Sequence, residues 1–487
     1  FYIRRERLER RAGASADAAL AATSATVGRA ILVAGATVMI GLAGLLFTGF
    51  GVFTSMALGA IVVVAIAVVG SLTVLPATLA LLGDRIDRGR IWPRRRRSHA
   101  RPRRTAWQVF ATGVTGHPRS SLAVAVLLLA ALAAPVIGMQ TGEPGQNDVG
   151  PKTPIRVAER SIERAFPGSS DTADLVVSGH GLGQPQAVAQ LGRIGRHGRQ
   201  ITHGRGAVAL QVSRDGGTAQ LQIPMPEAGL TVGDHRVQAL RNELEPAVGR
   251  AIPGARADLT GDYAGNLDFS SRLSHVTPLV IAFVLALAFV LLIATFRSPL
   301  LALSVIGLNL LSVGAAFGVL VEVFQHHWAQ SLLGFQSDGA VVDWLPLFAF
   351  VILFGLSMDY TVLVLERARE ARRAGASARQ AAAEALASTG GAVTSAALVM
   401  VAVFSVFATL PLLEFKQLGV GLAAAIALDA TIVRGLALPA VLTLLGDRGL
   451  APARISGKRT PGWDHGVDVD ERRTEIAHVA ALGSIND

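Results

Sequence analysis

The side chains most able to do chemistry in this sequence stand inside long apolar runs. Asp359 lies within Leu345–Leu365, about four residues, or about 6 Å at 1.5 Å rise per residue, from the centre of that run. An ionised carboxylate without a partner at such a depth costs about 3 kcal/mol or more. It must take up a proton, or face a cation or a wet cavity. A proton relay is one reading, and a carboxyl that only hydrogen-bonds between helices is the other. Tyr360 adds a hydroxyl able to relay a proton, although neighbours i and i+1 do not share a helix face. Gly355, one turn before Asp359, leaves room for a neighbouring helix. Thr394 and Ser395 stand early in the next apolar run. They either reach Asp359 across a helix interface or bond back to the carbonyl four residues earlier. Asp429 and Arg434 sit inside the last apolar run, and a spacing of five does not stack them on one α-helical face. Each is therefore expected to pair elsewhere, or Arg434 to snorkel toward the inner surface. A structural ion pair and a role in transport both stand open for them.

Other chemistries find no support. The chain has no cysteine, which removes disulfides, thiolate metal sites and cysteine nucleophiles. There is no Gly-x-Ser-x-Gly elbow, no His-Glu-x-x-His and no Walker lysine motif. His180, His197, His203 and His235 lack ligand spacing, and the adjacent His326 and His327 suit a solvated loop. No enzyme activity, metal or cofactor is expected, and the energy source is expected to be an ion gradient. Gly314 and Gly318 form a Gly-x-x-x-Gly pattern, a weak signal for close helix packing.

These residues need a membrane to hold them. Of the 487 residues 51% are apolar and only 16% are charged, and the mean hydropathy is +0.46. A soluble domain carries about 25% charged residues. A spanning helix needs about 20 apolar residues. Such runs occur at 29–49, 53–82, 119–139, 276–296, 299–322, 344–365, 391–413 and 416–445, with Phe1–Ile3 as a stub of a ninth. The net charge of +10 could suggest nucleic acid. However, the ten arginines between Arg85 and Arg104 fall between two apolar runs, with only Trp92 and Trp107 as nearby aromatics. Positive-inside charge explains them, and no nucleic acid partner is expected. If the runs alternate in direction, Arg4–Arg11, Arg85–Arg104, Arg297, Arg367–Arg379 and Arg448 all lie on one side, read as cytoplasmic. Segments 140–275 and 323–343 then lie outside.

The expected organisation is as follows. Residues 1–28 comprise the end of a helix and an amphipathic helix, and 29–82 two membrane helices of a first repeat. A basic linker at 83–118 precedes the membrane helix 119–139. An exterior domain at 140–275 is followed by five membrane helices of a second repeat at 276–446, and by a polar tail at 447–487 with one short helix near Glu471–Ala481. Within the exterior segment, periodicity predicts helices at Val157–Phe166, Pro185–Ile201 and Val232–Ala251. Strands are predicted at Ala173–Val177, Ala207–Val212, Thr218–Ile223 and Ala257–Asp262, with a hairpin at Asp215-Gly216-Gly217. This pattern suggests an α+β domain of split βαβ type. A charged, then Ala-rich helix is predicted over Glu366–Leu386, lying along the membrane or against the bundle.

The chain also repeats itself. Arg11-Ala-Gly-Ala-Ser15 recurs as Arg373-Ala-Gly-Ala-Ser377 at an offset of 362, and Leu75–Arg85 recurs as Leu438–Arg448 at an offset of 363. Parallel repeats of this kind build many transporters. Phe1 aligns with Leu363, so counterparts of Asp359-Tyr360-Thr361-Val362 are expected just before Phe1, in a missing N-terminal half of the same chain.

Several motifs carry a family resemblance. They are Phe354-Gly-Leu-Ser-Met-Asp-Tyr360 with Arg367–Arg373, Gly375 and Ser377; Gly261-Asp-Tyr-Ala-Gly-Asn266 with Asp268-Phe269; Thr295-Phe-Arg-Ser-Pro299; and Asp429–Arg434 with Leu438-Pro-Ala440. Together the chain resembles the MmpL branch of the resistance–nodulation–division (RND) transporters, as a C-terminal part from an actinobacterium. Asp262 stands where that family often has a second glycine. The resemblance implies a multi-pass protein of the cell membrane, with about eight transmembrane helices here and an exterior porter domain. It implies proton-driven export of a lipid or other hydrophobic molecule, with Asp359 and Tyr360 as the proton relay and Gly355, Thr394, Ser395, Asp429 and Arg434 in support. Membrane lipids, the hydrophobic substrate and protons are the expected partners, and a homo-oligomer stands open. SecDF-like assistance of protein export and a Patched-like lipid-binding module are the alternatives.

Overall fold

The structure is a computed structural model that describes residues 15–82, 106–142, 153–165, 172–225, 230–337 and 339–449, together with Glu6, Arg10, Gly13 and Val149. Phe1–Ile3, most of the basic linker, and the tail with its expected helix near Glu471–Ala481 lie outside the described residues.

Helix α1 (Ala16–Ala43) starts after Ser15, whose side chain accepts from the Ala18 amide, and Gly13 (φ +96°) turns the chain into it. The same device recurs in the second repeat, where Gly375 has φ +91° and Ser377 caps a helix in a reciprocal capping box with Gln380. A short tight helix and Gly49 (φ +72°) lead into α2 (Gly51–Leu72), and a break at Thr73 precedes α3 (Val74–Leu82). Helix α4 (Ala106–Gly116) turns sharply at His117-Pro118 into α5 (Pro118–Ala133). The last third of the expected linker is thus helical. The reason is an apolar stripe, with Ala111, Val114 and Thr115 buried.

After the two-residue strand β1 (Thr141–Gly142) comes α6 (Pro154–Ala165). An α/β unit then runs through β2 (Thr172–Ser178), α7 (Pro185–Thr202), β3 (Ala209–Val212), β4 (Thr218–Pro224), α8 (Leu230–Ala251) and β5 (Arg256–Thr260). Its sheet is antiparallel throughout, in the order β3-β4-β2-β5, with Leu175 opposite both Leu221 and Leu259. Alternate residues Ala173, Leu175 and Val177 of β2 and Ala219, Leu221 and Ile223 of β4 point inward. They meet Leu191 and Ile194 of α7 and Leu240, Leu244 and Val248 of α8 in one apolar core. The β3–β4 turn is pinned by Asp215, which accepts from the Ser213 hydroxyl (2.5 Å) and the Gly217 amide (3.1 Å). These bonds, the hydroxyl first, hold the Asp215 carboxyl below the usual carboxylate range.

Helix α9 (Asp262–Phe296) begins directly after β5. The boundary expected at residue 275 therefore falls inside a helix, and the last strand ends at Thr260 rather than Asp262. The junction is Gly261 at φ +101°, where a Cβ would stand 3.0 Å from the Thr172 carbonyl oxygen. Arg241 of α8 donates to both carboxylate oxygens of Asp268 on α9, at 2.6 and 2.7 Å. This bond raises the Arg241 guanidinium above its ordinary range.

The remaining chain forms α10 (Pro299–Leu320), β6 (Val341–Val342, parallel to β1), α11 (Leu345–Arg373), α12 (Ala378–Phe407), α13 (Leu413–Leu428), a π-helical stretch Asp429–Ala437 and α14 (Leu438–Leu445). The single helix expected over Glu366–Leu386 is instead the end of α11 and the start of α12. The left-handed Gly375 and the Ser377 cap break it, because each ends or starts an α-helix more strongly than the alanines around them continue one.

Among the described residues, eight helical stretches are long and apolar enough to cross a membrane. They match the eight runs read from sequence, and several extend beyond the apolar part. The chain is a multi-pass membrane protein. Helix α11 is the most enclosed of the eight, with 76% of its apolar window buried. Gly355 lets it approach α1, since a Cβ there would stand 3.3 Å from Val38 Cα. Gly314 and Gly318 do the same for α10 against α5: a Cβ at Gly318 would overlap the Leu132 carbonyl.

Candidate functional site

A group of polar side chains from α10, α11 and the π-helical stretch comes together inside the bundle. A π-helix bonds i to i+5, so residues five apart come over one another. Asp429 and Arg434 do so: Arg434 Nη2 pairs with Asp429 Oδ2, and both residues are buried. This corrects the expectation that the spacing would send each to a different partner or let Arg434 snorkel. The physical cause is visible downstream. Pro439 has no N–H to donate and crowds the preceding turn. The Leu438 amide reaches back to Val433 rather than to Arg434. The first repeat carries Pro76 at the equivalent place, and there the helix breaks at Thr73 instead.

From the α11 side, the Ser357 carbonyl accepts from Arg434 Nη2 at 3.3 Å. The Arg434 guanidinium carbon lies 4.7 Å from the centre of the Tyr360 ring, within cation–π range. Tyr360 and the Asp429–Arg434 pair, separate features in the sequence, form one cluster. Asp359 lies on α11 one turn from Gly355; its side chain is outside the described residues.

Beside the cluster is a cavity of about 20 Å³ lined by Asn309, Ser312, Ser357, Tyr360, Asp429 and Arg434 among apolar neighbours. A space of about 10–15 Å³ on this measure holds one water. Asn309 Nδ2, Asp429 Oδ1 and Arg434 Nε are buried without a hydrogen-bond partner among the described residues. Buried polar atoms are rarely left so, and a water in this cavity can serve them. Asn309, Ser312 and Ser357 were not singled out from sequence. The signal available was a lone amide within an apolar run, and Ser357 two residues before Asp359.

Thr394 and Ser395 hydrogen-bond within their own helix. Thr394 Oγ1 donates to the Gly390 carbonyl at 2.5 Å and Ser395 Oγ to the Gly391 carbonyl at 2.8 Å. Of the two readings left open, these bonds follow the second. Ser395 is exposed on the outside of the bundle. Thr394 borders a second space of about 10 Å³, lined also by Trp107, Val364, Thr389, Gly390 and Arg434. No cluster of three or more metal-ligating side chains occurs among the described residues. His326 Nδ1 meets the Val321 carbonyl oxygen at 3.3 Å.

The MMPL family model matches residues 1–121 and 149–475. The chain is 34% identical over 451 residues to the mycolic acid-containing lipids exporter MmpL11 of Mycolicibacterium smegmatis, covering 91% of this chain and 47% of that protein. It is 32% identical to the heme uptake protein MmpL11 of Mycobacterium tuberculosis (91% and 46% covered). It is 27% identical to the trehalose monomycolate exporter MmpL3 of the same species (92% and 50%). The chain thus spans about half the length of these relatives. Among solved structures it resembles the hedgehog release protein Disp of the water bear Hypsibius dujardini, with a TM-score of 0.59 at 14% identity, covering 91% of this chain and 61% of that one. It also resembles SecDF of Thermus thermophilus, at 0.50 and 16%, covering 91% and 52%. At such identities the likeness is one of fold alone. With the family model covering most of its length and the motifs around Asp359, Asp429 and Leu438 in place, the chain belongs to the MMPL family.

Proposed function

We propose that this chain is part of an RND-type secondary transporter that uses a proton gradient to export a lipid or other hydrophobic molecule. The observation that carries the reading is the polar cluster on α11: Tyr360, next to Asp359 in sequence, lies against the buried Asp429–Arg434 pair beside a cavity with room for water. The names of two relatives as lipid exporters supply the substrate class. In this reading the arginine-rich ends are cytoplasmic, and the α/β unit of split βαβ type is an exterior porter domain. A proton entering from outside neutralises Asp359, with Tyr360 as its relay. Loss of charge changes how α11 packs against its neighbours. The exterior domains follow. One charge across 100 mV supplies about 2.3 kcal/mol, and each pH unit about 1.4 kcal/mol. One proton thus drives a modest population shift.

The test uses the full-length protein in proteoliposomes under an imposed pH gradient, with lumen pH as readout. Asp359→Asn is expected to abolish proton uptake and lipid export without unfolding the protein. Undiminished uptake by this variant overturns the relay. Binding of lipid that ignores an uncoupler supports the Patched-like alternative, and a secretion defect with normal lipid export supports the SecDF-like one.

A further inference from the structure

We propose that α4 is the inner gate of the water path serving the central cluster, and that Trp107 is its plug. The inference rests on the reading of that cluster as a proton site. Arg434 borders two spaces: the central cavity and the second space. The second space is bounded by the hydroxyl-bearing Thr389 and Thr394, by Gly390, and by the indole of Trp107. The two spaces therefore share a permanently charged side chain in their walls.

Trp107 belongs to α4, not to a spanning helix, and α4 follows directly on the Arg85–Arg104 segment. The positive-inside rule puts that segment, and so this end of the bundle, on the inner side. Gly390 is the seat of the plug. A Cβ at residue 390 would lie 2.7 Å from the indole carbons, so only glycine lets the ring reach this depth. Phe110, one turn along α4, stands edge-on to Trp107 with ring centres 5.9 Å apart. It rests against Gly435 of the π-helical stretch, where a Cβ would be 3.6 Å from the ring. Two rings of one short helix thus seat on two glycines, one on α12 and one next to Arg434. A helix joined to the bundle by the His117-Pro118 turn can lift without breaking any spanning helix.

The absence of cysteine from these 487 residues makes a direct test available. Thr389 is 1% exposed, and Thr389→Cys places a thiol of similar size behind the plug. The full-length protein, with any thiol outside this chain replaced by serine, is labelled in inside-out vesicles with a membrane-impermeant maleimide. Slow labelling is expected for Thr389→Cys alone. Adding Trp107→Ala raises the rate by about tenfold or more, as burial ceases to limit access. Adding Trp107→Phe has a smaller effect. Adding Gly390→Ala, which keeps the tryptophan but unseats it, has the same effect as Trp107→Ala and serves if that variant fails to fold. Labelling that is indifferent to both substitutions, or that proceeds only from the outer face, overturns the gate. If labelling responds while Asp359→Asn leaves proton uptake intact, the gate stands and the proton reading falls. The reverse pattern removes the gate alone.

Discussion

Removing the positive member of the central pair leaves a carboxylate buried in the bundle without its counter-charge. In Arg434→Met, Asp429 loses the guanidinium, Tyr360 loses the cation 4.7 Å from its ring centre, and the Ser357 carbonyl loses a donor at 3.3 Å. Breaking a buried pair from one side costs about 3–5 kcal/mol, most of it the cost of the stranded charge. The cation–π contact adds up to about 2 kcal/mol where water is excluded. Asp429→Leu strands Arg434 in the same way. The double variant carries no charge, and replacing both members of a buried pair by apolar groups is often neutral. The expected coupling between the two sites is therefore at least about 3 kcal/mol, roughly a hundredfold in the folding equilibrium. The measurement is a double-mutant cycle of equilibrium unfolding in mixed micelles with increasing dodecyl sulfate, followed by tryptophan fluorescence. Additivity within about 0.5 kcal/mol refutes the reasoning, because it means that the charges do not need one another.

Gly318→Leu is expected to lower the unfolding midpoint by an overpacking cost of about 1–3 kcal/mol or more, since the side chain would overlap the Leu132 carbonyl and push α5 from α10. The same change at Gly307, which has open space around it, serves as the control. Asp215 gives a pH dependence confined to the β3–β4 turn. Its folded carboxyl lies below the unfolded value, so its contribution is complete above about pH 4 and is lost as the pH falls through the folded value. Hydrogen-exchange protection of the Gly217 amide should fall over that range in the parent and show no such step in Asp215→Asn.

Much of this architecture was legible because its signals are local. An apolar run long enough to span the bilayer has to become a helix, and all eight did. The Arg-Ala-Gly-Ala-Ser repeat marked two helix starts with one geometry, a left-handed glycine and a serine cap. Alternation and a Ser-Arg-Asp-Gly-Gly turn gave away the strands of the α/β unit. The boundaries were less legible. Apolar counting stops where charge begins, whereas a helix stops only where a cap or a glycine ends it, so α9 starts within the segment read as exterior and α11 runs on to Arg373.

The site divides along the same line. That Asp359, Tyr360, Asp429 and Arg434 stand in apolar runs, and that something must satisfy the three charges and the phenol hydroxyl, follows from composition and spacing alone. Which of them meet does not, because the answer depends on how the last helix is wound. An α-helix separates residues five apart. The π-helical winding before Pro439 joins them and turns Arg434 onto Tyr360 of a helix more than seventy residues earlier in the chain. The seating of Trp107 on Gly390 likewise joins a segment that reads as linker to the middle of a spanning helix. Sequence determined which groups the membrane must see satisfied. Packing between distant segments decided which groups satisfy them, because that choice is made by contacts that no local periodicity encodes.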